Sequence, residues 1–313
     1  MNKIHIISKV ALSFISYIGA NQCYAVEGGS GRPSTGMQVM PLNAILPSEE
    51  GGILTLASVY YDGNMGVKKS TPVTGDLVAG LDYKLSYNLL NGIFIWNTSP
   101  KWTLATSVGV PIQNTHLAAY KNDNKTEDSS TKIGDVVFAP IIANYHINPT
   151  THVLFGVNIF APTGSYNTDN MSNASLNNWT FVPNMAATKI FPSINTEIST
   201  NLGYEIYTKN KDTNYQNGDL LRFDLLGLKR FKSGLGVGGV YGLLYQTTDD
   251  DSKYSKQLNG FKGQAQGIGP IISYEKKFAN KTSLTTSIRG VHEFDVKNRP
   301  EGDAYQFNLT WQY

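Results

Sequence analysis

Residues 304–313 read AYQFNLTWQY, and their alternation decides the fold. Tyr305, Phe307, Leu309, Trp311 and Tyr313 share one parity, while Ala304, Gln306, Asn308, Thr310 and Gln312 share the other. Successive side chains on a strand point to opposite faces, so this segment has an aromatic, apolar face and a small, polar one. In a soluble sandwich such a stripe at a chain end would be an edge needing cover. In a closed barrel within a bilayer the same stripe meets lipid, and its large aromatics sit at the interface.

The rest of the chain alternates in the same way. ILTLASVYY at 53–61 reads as a strand, and Leu81, Tyr83, Leu85, Tyr87 and Leu89 then alternate with Asp82, Lys84, Ser86 and Asn88. Further strands are expected through Trp102–Ile112, IGDVVFAPIIANYHI, Val153–Ala161, Trp179–Phe191, Ile198–Ile206, Leu221–Leu225, Leu235–Tyr245, GFKGQAQGIGPIISYEKKF (bent at its glycines) and Lys281–Val296. With the closing strand the count is about twelve. One set of connections is short: NTSPK, NPT, PSI, KSG and ANK. The alternate set is mostly longer and polar, near 62–75, 114–132, 163–178, 208–218 and 247–259. That alternation is expected of an all-β, transmembrane, up-and-down antiparallel barrel with short periplasmic turns and longer outer loops; a Greek-key sandwich has no reason to keep it.

At the other end, Lys3 and Lys9 precede an apolar run from Val10 to about Ile18, and Cys23-Tyr24-Ala25 resembles a small-x-small cleavage site. Residues 1–25 therefore read as a cleaved signal peptide, since the run is too short for the roughly 20 residues of a spanning helix. Residues 26–50, rich in Gly and Pro and without a period, read as a periplasmic arm or plug, and 51–313 as the barrel. Cys23 is the only cysteine, so the mature chain holds no disulfide or thiolate metal site. The formal charge is +2; the two signal lysines account for it, leaving a neutral mature chain with nothing to draw it to nucleic acid.

Local motifs are weak. Gly234, Gly236 and Gly239 approximate a dinucleotide fingerprint without the strand and helix it needs. Asp249, Asp250 and Asp251 lack the spaced glycine and distal glutamate of a calcium loop. The mature histidines, His116, His146, His152 and His292, show no spacing that builds a catalytic constellation. No cofactor or metal is implied. Asp82, Lys84, Glu197, Glu205, Arg222, Asp224, Arg289 and Glu293 fall opposite the apolar stripes. Facing lipid, a base among them would cost roughly 2–4 kcal/mol near the midplane and an acid less. They are expected to line the lumen, either pairing with one another or bordering a solute path.

The closing strand resembles the C-terminal signal of bacterial outer-membrane barrels, and through it a partner is expected in the barrel-assembly machinery. Several segments in order resemble one family of outer-membrane channels, the MetA-pathway of phenol degradation family: EGG, IGDVVFAPIIANYH, FAPTGSYN, NNWTFVPNMAATK, TNYQNGDLLRFD, LLYQTTDDD, GIGPIISYEKK and NRPEGDAYQFNLTWQY. The resemblance implies a barrel in outer-membrane lipid associated with uptake of small aromatic or hydrophobic compounds, and it supplies no catalytic residues. A barrel-embedded hydrolase and an adhesive surface protein are the alternatives.

Overall fold

The computed structural model describes residues 31–32, 34–71, 75–121, 124–253, 255–258, 260–279 and 282–313. The expected signal peptide lies outside the described residues. Among the described residues thirteen strands follow in order: β1 (Gly51–Thr71), β2 (Gly75–Thr98), β3 (Trp102–Lys121), β4 (Asn124–Ile133), β5 (Val137–Asn148), β6 (Thr151–Phe160), β7 (Thr180–Phe191), β8 (Thr196–Tyr207), β9 (Leu220–Arg230), β10 (Leu235–Gln246), β11 (Gln264–Lys277), β12 (Ser283–Lys297) and β13 (Glu301–Gln312).

Neighbours pair antiparallel around a ring. β13 lies between β12 and β1, with Leu56 opposite Leu309, and a β2–β3 pairing completes the circuit. β4 stands outside it: the first half of β3, from Trp102 to Gly109, pairs with β5, and the second half, from Ile112 to Lys121, pairs with β4. Twelve strands therefore form the closed barrel. Closure satisfies the backbone without a free edge, which is what strands in hydrocarbon require. Among the described residues no helix is long and apolar enough to cross a membrane.

Tyr305, Phe307 and Trp311 on β13, Ile288 on β12 and Leu54 and Leu56 on β1 are exposed on the outer face, an apolar belt suited to lipid. Short turns at 99–101, 149–150, 192–195 and 231–234 mark one end, periplasmic in barrels of this kind, and longer connections at 161–179, 208–219 and 247–263 mark the other.

Two stretches expected as loops, 62–75 and 114–132, are largely strand. β1, β2 and β3 run for 21, 24 and 20 residues, well beyond the 9–11 or so that span a bilayer, and β4 folds back on β3. The loss of apolar alternation shows where a strand leaves lipid. It does not show where pairing stops, because backbone groups already in register keep their partners in water.

Candidate functional site in the barrel lumen

Residues 34–47 thread the lumen, held by polar side chains on the inner faces of many strands. At the loop end Arg32 donates from Nη1 to Asp135 at 2.9 Å and from Nε to Thr180 at 2.7 Å, and lies 4.5 Å over the Phe160 ring. Asp224 on β9 accepts from the amides of Gly36, Gln38 and Val39 at 3.2, 2.7 and 3.3 Å. Thr35 donates to Glu293, Arg289 Nη1 donates to the Gly36 carbonyl at 3.0 Å, and Gln306 donates to the Met37 carbonyl. Toward the periplasmic end Glu197 accepts from the Leu42 amide at 2.8 Å, Thr188 from Ala44 and Asn144 from Leu46, and Thr103 donates to the Pro47 carbonyl.

Two glycines make room for this path. Gly36 adopts φ +74°, a left-handed turn that favours glycine. It rests on Gly242, where an added Cβ would come within 2.2 Å of the Gly36 nitrogen. Val39 then packs on Leu226, Leu228, Val240 and Ile271, and Leu46 fills the periplasmic end against Ile95, Ala105, Ala139 and Ile142.

Six of the eight charged candidates lie on the inner face. Asp224, Arg289, Glu293 and Glu197 touch the threaded segment directly. Glu197 also takes Arg230 at 2.6 Å, while Glu205 receives the Tyr207 hydroxyl and lies 3.8 Å from Arg222. All six are buried, with Arg289 and Glu197 only 1% exposed. The inner charges on this side of the barrel are therefore largely spent on one another and on the threaded segment.

Asp82 and Lys84 stand on the outer face instead. Tyr61 points inward, its hydroxyl donating to Glu293 at 2.7 Å, so the next residue, Asp62, points outward. Lys84 lies opposite Asp62 in register and pairs with it at 2.9 Å. Asp82, two residues away, receives the Tyr120 hydroxyl. Parity separates two faces without saying which is inner. The outer parity of β2 becomes apolar lower down, where Leu90, Phe94 and Trp96 are exposed, so Asp82 and Lys84 sit in the extension beyond the belt and incur no lipid penalty.

The inner parity of β2 is consequently apolar from Leu81 to Leu89, with Asn91 breaking the line before Ile93. Tyr83 and Leu85, with Val59 of β1, pack beside Met37 and Tyr61; Tyr87, Leu89 and Ile93 continue the line and are only half-buried. At the loop end it meets Leu81, Leu117, Ala119 and the loop residue Met171, and at the periplasmic end Ile93 meets the Leu46 cluster. An apolar track thus runs along β2 from Leu81 to Leu89 and resumes at Ile93 after Asn91, flanked on β3 by the polar Ser107, Gln113 and Thr115. The strongest signal for it in sequence is Leu89-Leu90, where both parities are apolar at once.

A family model described as the MetA-pathway of phenol degradation matches residues 68–309. The chain belongs to that family. Among solved structures it is similar to the COG4313 outer membrane channel from Pseudomonas putida F1, at 16% identity over 88% of this chain and 100% of that one, with a TM-score of 0.68. A Pseudomonas aeruginosa FadL homologue follows at 8% identity, 93% and 98% coverage and a TM-score of 0.47. The Pseudomonas putida toluene transporter TodX follows at 9%, 93% and 98%, and 0.43. No curated protein sequence matches. The first likeness shows the fold, and a closed barrel of this fold with an apolar outer belt resides in the bacterial outer membrane.

Proposed function

We propose that this protein is a channel for small hydrophobic or aromatic molecules, which move along the apolar inner track of β1–β3. The observation that carries this reading is the half-buried line of Val59, Leu85, Tyr87, Leu89 and Ile93 on the lumen side of strands whose outer parity bears Asp82 and Lys84. An aqueous pore has no use for such a wall. The toluene transport named for one structural relative agrees in chemical class. The family, described by phenol degradation, agrees as well.

Met171 packs on the loop end of the track and Leu46 on its periplasmic end. Passage therefore requires the loop at 161–179 and the threaded segment to shift. No catalytic role is assigned. Thr103, whose hydroxyl lies beside His146, is fully buried and within reach of the Pro47 carbonyl, so it is not posed as a nucleophile. Outer-membrane lipid would meet the belt, and the assembly machinery would read the β13 stripe.

Leu89→Arg places a cation in the track. Aromatic block of single-channel current in planar bilayers, or toluene uptake into proteoliposomes, should weaken about tenfold, equivalent to 1.4 kcal/mol. Unchanged transport in a folded Leu89→Arg barrel would place the solute path elsewhere.

A further inference from the structure

His146 and His152 lie directly opposite each other on β5 and β6, next to the short turn at the periplasmic mouth. Their rings stand nearly perpendicular, with centroids 5.0 Å apart and the two Nδ1 atoms 2.8 Å apart. The other ring nitrogens each have an oxygen that can accept from them. His146 Nε2 is 3.0 Å from Thr103 Oγ1, which accepts from the imidazole when its own hydrogen goes to the Pro47 carbonyl at 3.2 Å. His152 Nε2 is 3.4 Å from the Pro149 carbonyl, which can only accept. With the site empty, one Nδ1 donates its hydrogen to the other across the 2.8 Å gap; with both hydrogens moved to Nε2, two Nδ1 lone pairs face the space between the rings, so an ion would take the place of that shared hydrogen.

That arrangement belongs to metal-ligating imidazoles, each giving its second N–H to an oxygen that fixes the ring. Two nitrogens bound at right angles about 2.0 Å from an ion are about 2.8 Å apart, whereas a tetrahedral angle spreads them to about 3.3 Å. The observed gap suits the first. His152 is buried and His146 half-buried, so the pair is held by the wall yet reachable from the mouth. Among the described residues no group of three or more His, Cys, Asp or Glu gathers as a metal site, so water would fill the remaining positions.

We propose that the His146–His152 pair is a divalent transition-metal site with Cu²⁺-type tetragonal preference. Through Thr103 it is wired to Pro47, the foot of the threaded segment, so metal binding also stiffens that anchor.

The test is titration of the refolded, untagged barrel with Cu²⁺, followed by calorimetry and electron paramagnetic resonance. The expected result is one ion per barrel, with a signal from two imidazoles. His146→Gln and His152→Gln should each weaken binding on the order of a hundredfold, and Thr103→Val by about tenfold or more. His116→Gln and His292→Gln should leave binding unchanged. Should the pair variants fail to fold, the spectrum of the unaltered barrel decides between two imidazoles and fewer. The proposal is overturned by no stoichiometric binding, a single-imidazole signal, or full affinity in both folded pair variants.

Discussion

Asp250 shows how much a single residue's surroundings decide. It sits in the connection after β10, 3% exposed, and accepts from the Gly218 amide and Gln246 Nε2, both at 2.7 Å, and from the Tyr215 hydroxyl. Burial pushes its carboxyl up to about 6, outweighing the pull of those donors, with Asp249 adding a small push. A folded value above the unfolded one means that the folded loop takes up a proton. Its contribution is full below the ordinary value of 3.8 and is lost as pH rises through about 6, a change of up to about 3 kcal/mol. Exchange protection of the Gly218 amide, corrected for its intrinsic rate, should be higher at pH 4.5 than at pH 7.5, and Asp250→Asn should remove the difference. Asp128 on β4 works the other way. Burial pushes its carboxyl up, but donors led by the Ser172 amide, at 2.9 Å, hold it below the usual value, so its hold on that loop is lost on acidification. In sequence both residues are unremarkable acids in polar stretches, because neither the burial nor the donors are local.

At the scale of the element, the apolar stripe of β13 is fully legible. Tyr305, Phe307 and Trp311 alternate in sequence and are exposed on the outer face, as period-two patterning demands. On its neighbour, Ile288 is 63% exposed within the belt. Ile288→Arg should therefore destabilise the folded barrel by about 2–4 kcal/mol, measured by urea unfolding in lipid vesicles. Arginine at Ser86, on the outer parity of β2 next to Lys84, should cost less, because that strand has begun to leave the belt there. If the two substitutions cost the same, the belt has been drawn in the wrong place. β2 itself was only half legible. Its alternation is as clean as that of β13, yet its apolar parity faces the lumen from Leu81 to Leu89, since a stripe has no sign until the sheet closes around something.

The whole molecule is a barrel whose two inner walls do different work: one carries the apolar track, and the other is committed to the threaded segment. The firmest hold on that segment is Asp224, with three amides on one carboxylate. Asp224→Ala leaves those donors without their acceptor. This should weaken docking by about 3 kcal/mol, roughly a hundredfold in the ratio of docked to released segment. Protease cutting within residues 34–47 and mean single-channel conductance should both rise. A folded variant with unaltered conductance would mean that the segment does not obstruct the lumen. The sequence by itself determined a barrel of about twelve strands, its end of short turns and its lipid-facing closing strand, because those follow from period-two patterning and local turn chemistry; the family was legible only as a resemblance of ordered segments. Only the tertiary structure decided that β1–β3 outrun the membrane, that Asp82 and Lys84 face outward, that the lumen has an apolar track and that Gly242 makes room for Gly36. Each of these depends on register and closure among strands far apart in the chain, which a linear pattern does not contain.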